Sequence, residues 1–157
     1  MKSIIVYSSK TGNTEKVANA IQKGLGGTAD MLKLDLTSGG LLKQYAPLFT
    51  LDLSAYDVIF LGAWVMVMKV HPFTSAYINM LENLEGRKVA GFITGGTAIS
   101  RPHVYEDFCE LIDRKGAEVL DFYYASTLLG PLLTRKKLER AEAFAHKVMA
   151  QFSLRKK

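Results

Sequence analysis

The chain has 157 residues, 48% of them hydrophobic and 22% charged. This is long enough for one domain with a buried core and too apolar for a chain that stays unfolded. Its longest apolar run, from Val58 to Val70, is broken by Gly62 and Lys69 and falls short of the roughly 20 residues a membrane helix needs, so no membrane insertion is expected. The formal charge of +5 suits an acidic partner, an anionic surface or nucleic acid. However, there is no nucleic-acid motif, and much of the excess lies near the C-terminus, in Arg135, Lys136, Lys137, Arg140, Lys147, Arg155, Lys156 and Lys157. That cluster reads as a solvated helix face and tail.

In chain order, Met1-Lys2 leads straight into an apolar run too short for a signal peptide and without a cleavage site behind it. Ser3 to Tyr7 is apolar and β-branched without alternation, the pattern of a strand covered on both faces. Thr14 to Leu25 places Val17, Ala18, Ile21 and Leu25 on one helical face, and Gly26-Gly27 ends that helix. Ala29 to Leu36 alternates Met31, Lys33 and Asp35 with Leu32, Leu34 and Leu36, which predicts an edge strand with one wet face. Ser38-Gly39-Gly40 predicts a turn, and Leu41 to Tyr45 a short helix before Pro47.

Asp57 to Leu61 predicts a buried strand that stops at Gly62. His71-Pro72 opens a helix over Phe73 to Leu84. Lys88 to Thr94 is the next strand, closed by Gly95-Gly96. Arg101-Pro102 precedes a helix that runs to about Lys115, with Gly116 as its cap. Within it lies Cys109, the one cysteine, which reads as a buried structural thiol. With no disulfide available, the expected setting is reducing and cytoplasmic. Glu118 to Ser126 is a fifth strand. Thr134 to Leu154 is a long last helix, with Thr134 as N-cap and Leu138, Ala141, Ala145 and Val148 facing inward.

Strands that alternate with helices predict a single α/β domain, a parallel sheet with helices on both faces. Ligands then bind at the carboxyl ends of the strands, where strand order reverses. The residues to inspect are therefore those of the loops at 8–14, 62–71 and 94–105.

The first loop is rich in hydroxyls, contains Gly12 and opens a helix. A helix N-terminus presents free N–H groups and partial positive charge, which suits a phosphate. The spacing is neither that of a P-loop nor a GxGxxG fingerprint, because Lys10 precedes the glycine. Ile5-Val6-Tyr7-Ser8-Ser9-Lys10-Thr11-Gly12-Asn13-Thr14 followed by Glu15-Lys16-Val17-Ala18-Asn19-Ala20-Ile21 resembles the flavodoxin signature. The resemblance implies a doubly wound five-stranded parallel sheet of order 2-1-3-4-5 over residues 1–157. It also implies FMN as cofactor, with Ser9, Lys10, Thr11, Gly12, Asn13 and Thr14 around the phosphate.

By the same resemblance the flavin ring lies between the second and third loops. Ala63, Trp64 and Val65 then fall on one side of it and Thr94, Gly95, Gly96 and Thr97 on the other. Trp64, the only tryptophan, either stacks on the ring or packs over the core. Met66 and Met68 pad the ring edge or belong to the core. Tyr105-Glu106-Asp107-Phe108-Cys109 resembles a stretch in which the tyrosine stacks on the outer flavin face; the long segment before Tyr105 leaves His103 as the alternative. No carboxylate lies between Thr94 and Tyr105, whereas Arg101, His103, Lys69 and His71 do lie in or beside the second and third loops. A positive rim of this kind would stabilise negative charge on a reduced flavin and attract anionic partners.

The expected function is an electron carrier between redox proteins, its partner carrying an acidic docking face. The alternative is an FMN-dependent reductase or oxidase of a small planar acceptor such as a quinone or tetrapyrrole. For that alternative, His71 and His103 are the proton-transfer candidates.

Overall fold

Successive side chains of a strand point to opposite faces of its sheet, and here both faces are covered. Strand β1 (Ser3–Ser8) sends Ile4 and Val6 into one buried apolar cluster and Ile5 and Tyr7 into another. The computed structural model describes residues 1–34, 51–66, 68–127 and 133–155. The turn expected at Ser38 to Gly40 and the short helix expected at Leu41 to Tyr45 lie outside the described residues.

Helix α1 (Asn13–Gly24) buries Val17, Ala18 and Ile21, as the 3.6-residue spacing predicts. Strand β2 (Asp30–Leu34) exposes Met31 and Lys33 and turns Leu34 inward. Strand β3 (Val58–Met66) is followed by a short strand β4 (Lys69–Val70) that pairs back on it antiparallel, Val65 opposite Val70. Helix α2 (Pro72–Met80), strand β5 (Lys88–Thr94), helix α3 (Arg101–Asp113), strand β6 (Glu118–Ala125) and helix α4 (Arg135–Arg155) complete the order. The long strands lie in the order β2-β1-β3-β5-β6, every neighbouring pair parallel. With the β4 hairpin strand set aside, this is the doubly wound 2-1-3-4-5 order.

Helices α1 and α4 cover the face that carries Ile5, Phe60 and Phe92. Helices α2 and α3 cover the face that carries Val6, Leu61 and Ile93. Thr134 caps α4, its hydroxyl accepting the Lys137 N–H at 3.3 Å. Ala141, Ala145 and Val148 are buried beneath that helix, and Leu138 packs against the same cluster. The basic face of α4 is not simply solvated. Lys147 pairs with Asp121 at 2.8 Å, Arg155 with Glu118, and Lys137 Nζ donates to the Ser126 carbonyl at 2.6 Å.

Three boundaries differ from expectation. Strand β3 does not stop at Gly62 but pairs with β5 through Trp64, opposite Thr94. Gly62 is not a turn residue: a Cβ there would run into the Phe92 ring, so the missing side chain makes room for a core aromatic. Helix α2 ends at Met80 instead of Leu84, and Leu81 and Leu84 reach the core from extended chain and turn. Helix α3 starts at Arg101, so the segment before Tyr105 is helix and not a lengthened loop.

Candidate functional site

Strand β1 has β2 on one side and β3 on the other, so strand order reverses there and a crevice opens at the carboxyl ends. The loop after β1 is folded around Ser9. Its Oγ accepts the Gly12 N–H at 3.1 Å and the Glu15 N–H at 3.3 Å. Gly12 is the N-cap of α1 at φ 85° and ψ −7°, the left-handed region that glycine enters without strain. An added Cβ at Gly12 meets nothing within 4 Å, so backbone conformation alone asks for glycine there. The one acidic side chain in the first turn of α1, Glu15, is held away from the loop by Lys33 at 2.9 Å and the Tyr7 hydroxyl at 3.4 Å.

Thr14 faces the sheet. Its hydroxyl donates to the Ala63 carbonyl at 3.3 Å and lies 2.8 Å from the Thr94 hydroxyl, and both threonines are buried. The ends of β3 and β5 are thereby fastened to the first turn of α1.

The second segment is a hairpin, and Trp64 belongs to β3 itself. The half-buried indole lies 4.4 Å from the His71 ring at 33° and 6.1 Å from the Phe73 ring at 24°. Met66 and Met68 are 50% and 40% exposed, so neither is a core residue. His71 Nδ1 accepts the Phe73 N–H at 3.1 Å and caps α2. Burial, and then the charge of Lys10, hold the His71 pKa below the ordinary histidine value, so the ring is neutral near pH 7.

The third loop is pinned from β6. Gly95 N–H donates to the Ala125 carbonyl at 3.0 Å, and Thr127 N–H donates to the Gly96 carbonyl at 3.2 Å. The Tyr124 hydroxyl reaches the carbonyls of Gly95 at 2.6 Å and Thr97 at 3.1 Å. Gly96 sits at φ 62°, and a Cβ there would come within 2.6 Å of that hydroxyl.

Together these segments form a cleft of about 190 Å³. It is lined by Lys10, Thr11, Asn13 and Thr14, by Trp64 and Val65, by Thr94 to Gly96, and by Thr127. Pockets that enclose a small ligand usually run to about 300–1,000 Å³, so this cleft fits one part of a long ligand and leaves the rest along its rim. Lys10 is its only charged lining residue among the described residues. Ser9, Gly12, Ala63 and Thr97 do not line it; the Ala63 carbonyl accepts from Thr14, which does. Thr127 and Tyr124 were missed in the sequence, although both stand at the carboxyl end of the fifth long strand, where such residues are to be sought.

Tyr105 is brought elsewhere. It sits on α3 with its ring 5.2 Å from Phe122, and it lines a separate depression with Arg101, Pro102 and Asp121. Cys109, expected to be buried, is only half-buried on the same helix, and burial pushes its thiol above the usual range. Arg101, His103 and Lys69 are exposed.

The model of the flavodoxin domain matches residues 4–153. The chain belongs to the flavodoxin-domain family. It is 26% identical to Flavodoxin 2 of Bacillus cereus, with a TM-score of 0.71 over 96% of this chain and 99% of that one. A flavoprotein of Lactobacillus acidophilus NCFM, solved in complex with FMN, superimposes with a TM-score of 0.63 at 19% identity, over 78% of this chain and 92% of that one. The flavodoxin-like domain-containing protein BilS of Clostridioides difficile (strain CD3) is 33% identical over 98 residues, 62% of this chain and 49% of BilS. The matched stretch thus spans about half the length of that curated relative.

Proposed function

We propose that this flavodoxin-domain protein binds FMN in the cleft and works as an electron carrier. One observation carries the cofactor assignment: two backbone N–H groups, of Gly12 and Glu15, converge on a single oxygen, Ser9 Oγ. Convergent N–H groups at the positive end of a helix are what a phosphate oxygen requires. Rotation of the Ser9 side chain would free both donors and add its own hydroxyl. The exposed Thr11 and the Lys10 ammonium stand beside them. Gly95 and Gly96, held by Tyr124, would line one side of the ring and Trp64 the other.

FMN, when bound, supplies one- and two-electron chemistry. The chain's own part is to bind, orient and tune. No carboxylate lines the cleft among the described residues, and Lys10 favours added negative charge there. Exposed Lys69 and Arg101, from the second and third segments, extend positive charge at the carboxyl end of the sheet, which supports a redox partner with an acidic docking face.

A second reading draws on Met66 and Met68, whose exposed side chains on the hairpin that carries Trp64 offer an apolar seat for a small planar acceptor such as a quinone or tetrapyrrole. Stopped-flow oxidation of the FMN-loaded, reduced protein separates the two. A carrier reoxidises slowly with every small acceptor. Fast oxidation by a quinone, saturable in quinone, would replace the carrier with a reductase.

A further inference from the structure

His71 ties Trp64 of the cleft wall to the β3–β4 hairpin and to the first turn of α2. Its ring lies against the Trp64 indole at 4.4 Å. Its backbone N–H donates to the Trp64 carbonyl at 3.1 Å and closes the β3–β4 hairpin. Its Nδ1 accepts the Phe73 N–H at 3.1 Å, and the Phe73 ring is itself stacked on Trp64 at 6.1 Å. A nitrogen that accepts carries no proton, so this cap exists only for the neutral ring protonated on Nε2. Protonation of Nδ1 would set a donor against the Phe73 N–H and break the cap.

The charged groups around the ring come from three elements. They are Lys10 of the first loop, whose charge acts on the ring, Lys69 of β4, two residues before it in the chain, and Asp107 of α3, whose carboxylate accepts the Val70 N–H at 2.8 Å. The first turn of α2 carries no acidic residue. Asp107 is thus engaged with the backbone next to His71, and Lys10 opposes a second positive charge beside it.

We propose that His71 is a positioning residue for the cleft: its neutral ring holds the Trp64 indole in the wall, and protonation of that ring lets the indole go. The consequence for cofactor affinity rests on the FMN assignment. The coupling of His71 to Trp64 does not.

Trp64 is the only tryptophan, so tryptophan emission reports the surroundings of this one side chain. In protein without added flavin, emission is expected to change about twofold in intensity between about pH 8 and about pH 5, because the indole leaves the ring it is packed against and its surroundings change. His71→Phe keeps a stacking ring without a titrating nitrogen. His71→Asn keeps an N-cap acceptor without the ring. Both variants should remove the pH dependence of the emission. The FMN phosphate itself titrates near pH 6, so the H71F profile is the reference for affinity. Below that pH, wild-type FMN affinity should fall about three- to tenfold more than that of H71F, and at about pH 8 H71N should bind about three- to tenfold more weakly than H71F. An emission that does not change with pH overturns the coupling. Identical wild-type and H71F affinity profiles, or equal affinities of H71N and wild type, overturn the positioning role. If no variant nor the wild type takes up FMN, the cofactor assignment fails, while the emission titration still decides the coupling.

Discussion

The hydroxyls of Thr14 and Thr94, 80 residues apart in the chain, meet at 2.8 Å in the buried floor of the cleft. Thr94 passes its hydrogen bond to Thr14, and Thr14 passes its own to the Ala63 carbonyl at 3.3 Å. This chain fixes the first turn of α1 against the sheet. Thr14→Val should cost about 1–3 kcal/mol, because it strands two buried polar groups. The double variant Thr14→Val, Thr94→Val should cost less than the sum of the single changes, because the second removes a group the first had stranded. Urea denaturation of the four proteins measures the coupling, and strict additivity would mean that the two hydroxyls do not interact.

Tyr105 belongs to the α3–β6 packing through Phe122 and does not line the cleft. Tyr105→Ala should therefore lower stability by about 1–3 kcal/mol, as expected for loss of a partly buried aromatic contact. FMN affinity should change by less than about twofold, well under 1.4 kcal/mol. A tenfold loss of affinity with unchanged stability would put the tyrosine back on the flavin.

Much of this site could be read in the sequence. Gly12 stands where a helix N-terminus needs a left-handed cap, and the hydroxyl spacing from Ser9 to Thr14 marks the loop. Trp64 was legible as a residue near the cleft but not as part of a strand, because Gly62 imitates a turn. Its true cause, the Phe92 ring packed over it, is a contact 30 residues away that local pattern does not encode. Tyr105 was misplaced for the complementary reason. The motif around it is real helix, but the helix begins at Arg101 and its register points that ring at Phe122. Thr127 and Tyr124 carry no local signal, because their part comes from the long-range bonds by which β6 and the residues after it pin the third loop.

Alkaline pH should loosen the fold through two tyrosines. Burial, and then the neighbouring Glu15 carboxylate, push Tyr7 up to about 12. Burial and the hydrogen bond to Asp30 push Tyr56 up to about 12 as well. In the unfolded chain both phenols ionise near 10. The stability they give is complete below about pH 10 and is lost as pH rises from there through about 12. The urea midpoint should thus stay level toward pH 10 and then fall, less steeply in Tyr7→Phe. A midpoint as steep in that variant as in wild type would contradict the assignment.

The positive rim predicts a sign for salt effects. Oxidation of the reduced, FMN-loaded protein by ferricyanide, an anion, should slow as ionic strength rises, and oxidation by a cationic cobalt complex should quicken. Lys10→Gln together with Lys69→Gln should flatten both trends. Salt dependence that the double variant leaves unchanged would remove these lysines from the docking face.

FMN uptake tests the central claim most directly. The purified protein should bind one FMN per chain, quench Trp64 emission as it does so, and turn yellow. Gly12→Glu, which puts a Cβ and a negative charge at the left-handed cap, should still fold, because the added Cβ meets nothing within 4 Å, but at a cost of about 1–2 kcal/mol for the strained backbone. It should nevertheless lose FMN binding by more than about tenfold, the equivalent of 1.4 kcal/mol. A wild-type protein that stays colourless after incubation with excess FMN, or a Gly12→Glu variant that binds as tightly as wild type, would contradict the account.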